Sequence, residues 1–325
     1  MVLVDTPTAL LALILGIYAG LRQKKLKDLI VFGLGGMPFI GVQFVYNSLL
    51  FGSPFTFAYA MKSSPELAAI IDKGMYGFSL PSMESLWGLS FGAMRGLFFH
   101  APILLLSGWG LKLMFQTPGR RVQAWLLTVL LVTYYLWIAA FVDWPAGASY
   151  APRHLTPLIP FMAVLVGVAF ANDSETPWFA WSFAALITAS FVLAWAPIAT
   201  FPYAPGSFTE PFSELALPLL ESLRLAPNMG RLAGLPEWAS LIPPALLVLG
   251  LLSLAHVGRN SVAAFLGIVW IAVIVSIGPE PVRKDTLNAR TMVECLLDYP
   301  SGAEALCESV GAGFHKGRCQ CVVKR

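Results

Sequence analysis

The densest chemistry in the chain is Asp143-Trp-Pro-Ala-Gly-Ala-Ser-Tyr-Ala-Pro-Arg-His154, which sets a carboxylate, two aromatics, an arginine and a histidine within twelve residues and runs directly into an apolar stretch. Gly and Pro here permit a tightly turned backbone. Arg153 offers an always-charged, forked donor that fits a phosphate or a carboxylate. His154 stands beside it, so the segment reads as a candidate anion site; the plainer alternative is that Arg153 pairs with Asp143 or reaches lipid phosphate. Other polar residues mark other apolar boundaries: Asp5 in Val4-Asp-Thr-Pro7, Asn47 in Tyr46-Asn47, and Arg95 and His100 around Arg95-Gly-Leu-Phe-Phe-His100. An ionisable group at a membrane boundary needs a partner or a purpose. Asp5 reads as a helix N-cap or as a carboxylate open to ligand, Asn47 as a helix cap or a polar contact, and His100 as a satisfied interfacial histidine rather than a base.

These residues need positioning, and the composition says by what. Of 325 residues, 57% are hydrophobic and 12% charged, with a mean hydropathy of +0.71. That apolar content exceeds what one soluble core buries, which excludes a cytosolic globular protein. Eight stretches are long enough to cross a bilayer, roughly 3–21, 29–50, 97–115, 122–142, 155–171, 178–200, 240–257 and 261–278. The expected fold is an all-α integral membrane protein of about eight transmembrane helices over 1–278, with outer-face juxtamembrane helices and a short Cys-rich tail over 279–325. The net charge of +3 is mild and dispersed, so no nucleic-acid partner is implied.

Orientation follows from the short loops. Arg22-Gln-Lys-Lys-Leu-Lys27 packs four cations into six residues and is placed inside, as are Lys112, Arg120 and Arg121, and Arg259; the loop at 172–177 has no cation and dissents. Both termini then face outward, in the inner membrane of a bacterium. Met1 precedes an apolar span with no basic leader, which reads either as an outward-facing first helix or as the downstream part of a longer multispanning design. Two outer segments have helical apolar spacing: 62–73, starting at Ser64-Pro-Glu66, and Thr209 to Arg224, apolar at 212, 215, 219, 220 and 223. Both are expected to shield the membrane-embedded helices.

All four cysteines, Cys295, Cys307, Cys319 and Cys321, fall in the last 31 residues. In an oxidising compartment they are expected to form two disulfides. A direct Cys319–Cys321 bridge would be strained, so each is expected to join one of Cys295 and Cys307. A zinc site, with His315 as a substitute ligand, is the rival, but Cys-x-Cys matches zinc spacing poorly. No metal site is expected. The chain shows no phosphate-cradling Gly loop, zinc-protease helix or nucleophile elbow, against ATP-driven transport and serine hydrolysis. It shows no internal repeat and no charge at mid-span, against a transporter.

Taken in order, Asp5-Thr-Pro7, Tyr46-Asn-Ser-Leu-Leu-Phe-Gly-Ser-Pro-Phe55, Arg95-Gly-Leu-Phe-Phe-His-Ala-Pro102 and Trp144-Pro-Ala-Gly-Ala-Ser-Tyr-Ala-Pro-Arg-His154 resemble the later half of bacterial C-type membrane glycosyltransferases, the lipid-carrier-dependent enzymes related to protein O-mannosyltransferases. The resemblance covers about residues 1–280. It implies transfer of a sugar from a polyprenyl-phosphate donor at the outer face, with Arg153 on the phosphate, His154, Asn47 and Arg95 as further substrate contacts, and Asp5 or Asp143 as base. Membrane lipids and the lipid-linked sugar are the implied partners, and a divalent metal is compatible with such a donor although no ligand set for one is read. The chain departs from the family at Ala146 and Ala151, where glycine is expected. The family's catalytic carboxylate lies in an upstream outer loop with no counterpart after Met1, which implies either a companion membrane chain or a non-catalytic scaffold subunit.

Overall fold

The structure, a computed structural model, describes residues 6–23, 26–56, 77–147, 149–204 and 208–221, with 225–226, 228–236, 239–242, 246, 291, 304, 307–308, 312–315 and 320–323. The described residues are mostly helical, with one β-hairpin. The principal helices are α1 (Ala9–Gln23), α2 (Leu26–Phe51), α3 (Met83–Ser90), α4 (Leu97–His100), α5 (Leu106–Gln116), α6 (Arg121–Ala139), α7 (Ile159–Asp173) and α8 (Pro177–Thr200).

Four helical stretches are long and apolar enough to cross a membrane: Ile30–Phe51, Arg121–Ala139, Arg153–Asp173 and Pro177–Thr200. They match four of the eight expected spans. Expectation and structure part at two others. The apolar run at 3–21 yields a 15-residue α1, because Pro7 sits in a 3-10 turn at Thr6–Thr8 and the α-helix starts only at Ala9. At 1.5 Å per residue that is about 22 Å, short of the ~30 Å hydrocarbon layer. The run at 97–115 is not one helix but three pieces, α4, a 3-10 turn at Pro102–Leu105, and α5. Pro102 has no amide to donate and pushes Ala101 out of the helical region, to φ −138° and ψ 67°. The spans expected at 240–257 and 261–278 lie almost wholly outside the described residues, as do the expected helix at 62–73 and the boundary at 278.

The chain divides into two compact units. The first comprises Met1–Leu86, Gly110–Trp144 and His154–Leu165. In it, α1 packs against α2 and α6. Helix α6 has two unlike faces. Ala124, Leu130, Tyr134 and Ile138 are buried along one, while Val122, Trp125, Val129, Val132 and Leu136 are exposed along the other. Both series keep helical spacing. An exposed stripe this apolar is what lipid, not water, would cover. Past the end of α6, Phe78 and Phe141 form an antiparallel bridge, and the Tyr135 hydroxyl donates to the Leu86 carbonyl at 2.6 Å. Close backbone approach occurs at Gly110, where a Cβ would overlap the Leu165 carbonyl; small residues allow such contact between apolar helices.

The second unit comprises Trp87–Trp109, Pro145–Arg153 and Val166–Arg325. Here α8 receives α4 and the 3-10 turn. The amide that Pro102 frees, on Ile103, donates to the Ser190 hydroxyl of α8 at 2.9 Å. Leu106, Val166, Ala169 and Phe179 form one apolar cluster, and nearby the Trp109 indole donates to Asp173 at 2.6 Å. The expected amphipathic segment is present as a π-helical turn, Phe212–Ala216, continued by the α-turn Leu217–Glu221. Its apolar side, Leu215, Ala216, Leu219 and Leu220, is buried, while the Glu214 carboxylate turns back to accept from the Glu210 amide at 3.0 Å. The remainder of that segment, 222–224, lies outside the described residues.

In the tail, β1 (Ala312–His315) pairs antiparallel with β2 (Gln320–Val323), a β element that the all-α expectation did not include. A disulfide joins Cys307 to Cys321, one of the pairings expected once Cys319–Cys321 is set aside. Cys295 and Cys319 lie outside the described residues.

Candidate functional site

The site is built from a tight piece of backbone. Gly88, Gly92 and Gly96 recur every fourth residue, and the chain uses the room they leave. A Cβ at Gly92 would stand 2.8 Å from the Gly88 carbonyl oxygen, and one at Gly96 2.6 Å from that of Gly92. The Gly96 amide donates to that same Gly92 oxygen at 2.6 Å. This winding carries Arg95 into the interior, where its side chain has 0% exposure.

A guanidinium so placed is costly unless its donors are met. They are met largely by main chain. Nε donates to the Pro145 carbonyl at 2.6 Å, Nη1 to Met94 at 2.9 Å, and Nη2 to the Gly147 carbonyl and to Ala204 at 3.4 Å. Two of these carbonyls flank Ala146, which is buried and takes φ +61°, with Gly147 following at φ +66°. Glycine adopts that conformation freely, whereas alanine resists it by about 1–2 kcal/mol. Arg95 thus grips both sides of a strained turn. Ala146 holds the left-handed turn without a glycine's conformational freedom.

Beyond the turn, Tyr150 packs with Ala204, Leu215, Ala216 and Leu219. Its hydroxyl is buried with no hydrogen-bond partner among the described residues, and desolvation raises its pKa. Arg95 and Tyr150 therefore fasten the segment 145–150 to the segment near Ala204 from two directions, one polar and one apolar.

Arg153 follows directly and is exposed. It has no hydrogen-bond or ion-pair partner among the described residues, and it opens the 3-10 turn Arg153–Leu158 that leads into α7. His154 is instead buried, its ring edge-on to Phe141 at 6.1 Å. Asp143 is half-buried and engaged with a neighbour. Asn47 is buried at the end of α2, where it accepts from Gln43 at 2.9 Å and donates to the Pro54 carbonyl at 3.1 Å; this closes the helix end. Asp5 lies outside the described residues.

His100 differs from the satisfied histidine expected of it. It is 4% exposed, and neither ring nitrogen has a hydrogen-bond partner among the described residues. The ring lies close to the carbonyls of Ala93 and Met94, but neither meets it in hydrogen-bond geometry. Among the described residues no three His, Cys, Asp or Glu side chains come together as a metal site.

The structure therefore brings Arg95, Tyr150 and the turn at 145–147 together and leaves Arg153 exposed, with no partner among the described residues. Sequence reasoning missed three participants. The glycine period at 88, 92 and 96 was visible and marks close winding; Tyr150 carried only its aromatic character; the Ala204 carbonyl carried no signal at all. Chemically, the arrangement offers a fixed turn followed by an exposed guanidinium, which suits holding an anion. Comparison with protein-family models, curated proteins and solved structures found no match.

Proposed function

We propose that this chain is a membrane glycosyltransferase-like protein that handles a sugar carried on a polyprenyl phosphate, with Arg153 as the contact to the carrier's phosphate. The observation that carries this reading is Arg153 itself, an exposed cation at the start of an apolar helix with no partner among the described residues. An arginine there is matched to a phosphate whose hydrocarbon chain lies in the membrane.

In the transfer, a carboxylate removes the proton of the acceptor hydroxyl, whose oxygen attacks the anomeric carbon. The bond from that carbon to the phosphate oxygen breaks, and the phosphate departs with the electron pair, its charge met by Arg153. Asp5 and Asp143 are the carboxylates that this reading calls on as base, unless a companion membrane chain supplies one. The setting is the inner membrane of a bacterium, with both termini and the site at the outer face. Arg95, Asn47 and His154 have their side chains taken up by carbonyls or by an aromatic neighbour, so the reading narrows to Arg153 for phosphate contact.

The test is binding of a polyprenyl phosphate, against the corresponding polyprenol, to the purified protein in nanodiscs. Arg153→Gln is expected to weaken the phosphate by about tenfold and leave the alcohol unchanged, as for one charge-assisted contact. Equal phosphate affinity in variant and wild type would remove Arg153 from the site.

A second reading, a non-catalytic scaffold subunit, is favoured by one observation: two polar residues expected to meet substrate, Arg95 and Asn47, are spent on backbone carbonyls. Sugar transfer from a labelled lipid-linked donor, abolished in an Asp5→Asn/Asp143→Asn chain, decides for the enzyme. Transfer that survives loss of both carboxylates and of Arg153 removes these residues from the chemistry, and absence of transfer in the wild type decides for the scaffold.

A further inference from the structure

A different part of the molecule has the shape of a lipid seat. In the first unit, α6 presents Val122, Trp125, Val129, Val132 and Leu136 as one exposed stripe, at i, i+3, i+7, i+10 and i+14. The opposite face is packed. At the head of the stripe stand Arg120 and Arg121, both exposed. Arg121 is held in place, because its Nε donates to the Phe115 carbonyl at 3.1 Å, while its terminal nitrogens have no partner among the described residues. Arg120 has no hydrogen-bond or ion-pair partner among the described residues. One turn along, Trp125 is 61% exposed and leans edge-on against Phe115 at 5.2 Å.

The order of these groups is that of a phospholipid: charge, then an amphipathic ring, then a hydrocarbon track. Tryptophan settles at the headgroup level, and arginines at the membrane surface draw anionic headgroups. We propose that Arg120 and Arg121 hold the phosphate of an anionic phospholipid, phosphatidylglycerol in kind, whose acyl chain lies along the Val122–Leu136 stripe. This site is independent of Arg153 and of any sugar transfer.

The experiment is native mass spectrometry of the full chain in detergent, with phosphatidylglycerol and phosphatidylcholine of equal chain length in competition. The wild type is expected to retain phosphatidylglycerol about tenfold more than phosphatidylcholine. In an R120Q/R121Q chain that preference falls to near unity while phosphatidylcholine retention is unchanged. Should the double variant fail to fold, the single variants R120Q and R121Q serve, each expected to lose about threefold. Free glycerol phosphate is expected not to compete, since the stripe holds the lipid tail. Equal retention of the two lipids by the wild type means a bulk lipid coat only and overturns the proposal, as does undiminished preference in folded arginine variants.

Discussion

Arg95 and Arg153 are both expected from sequence to meet substrate, yet the structure treats them oppositely. Arg95 is wholly buried and donates to backbone carbonyls. Arg153, at the far end of the segment that Arg95 grips, is exposed and has no partner among the described residues. The difference lies in their neighbours. Glycines at 88, 92 and 96 let the chain fold closely around Arg95, whereas Pro152 and the 3-10 turn that starts at Arg153 keep the second arginine on the surface. One arginine builds the turn and the other is what the turn delivers.

The contrast can be broken most sharply at Arg95. Arg95→Met leaves the carbonyls of Pro145, Gly147 and Ala204 without this donor inside the protein, and is expected to cost about 3–5 kcal/mol; thermal unfolding in detergent measures it, and a loss below about 1 kcal/mol contradicts the assigned role. A smaller effect is expected from Gly96→Ala. The dihedrals there suit alanine, φ −69° and ψ 124°, but the new Cβ meets backbone atoms of Gly92. About 2 kcal/mol of destabilisation follows from overpacking alone, and the same assay reads it.

Tyr150→Phe sharpens the comparison in the other direction. It deletes a buried hydroxyl with no partner among the described residues, so stability should be unchanged or higher by up to about 1 kcal/mol. The same residue gives a pH dependence. Burial raises its pKa, so the folded chain keeps the phenol proton after the unfolded chain has lost it, above about pH 10. Its contribution to stability is therefore complete below that pH and declines as pH rises beyond it. Alkaline titration of unfolding should show that decline in wild type and a shallower one in Tyr150→Phe. The smallest stability effect is expected at Arg153→Gln, within about 0.5 kcal/mol as for an exposed surface residue. A large loss there would make Arg153 structural, like Arg95.

What could be read in advance follows the range of the forces involved. Long apolar runs decide helix by length alone, so Ile30–Phe51, Arg121–Ala139, Arg153–Asp173 and Pro177–Thr200 were legible. Prolines were the signal that the runs at 3–21 and 97–115 would fall short, and Pro7 and Pro102 set those limits. The role of Arg95 was not legible, because its carbonyl partners at 145 and 204 lie 50 and 109 residues along the chain. A carbonyl has no residue type to advertise it. The Cys307–Cys321 bridge was legible only as one of two partners open to Cys321, and the hairpin it closes on was not legible.

The broken helix at Ala101–Pro102 has a consequence for synthesis. The Ile103 amide finds its acceptor on Ser190, 87 residues later, and α5 beyond the break is 11 residues long, about 17 Å. When this stretch first leaves the ribosome it lacks both a full crossing length and a partner for that amide. It should therefore wait, half-settled at the translocon, until α8 emerges to complete it. Stalling the nascent chain before and after residue 190 and probing the accessibility of a cysteine placed at position 103 would reveal when it comes to rest.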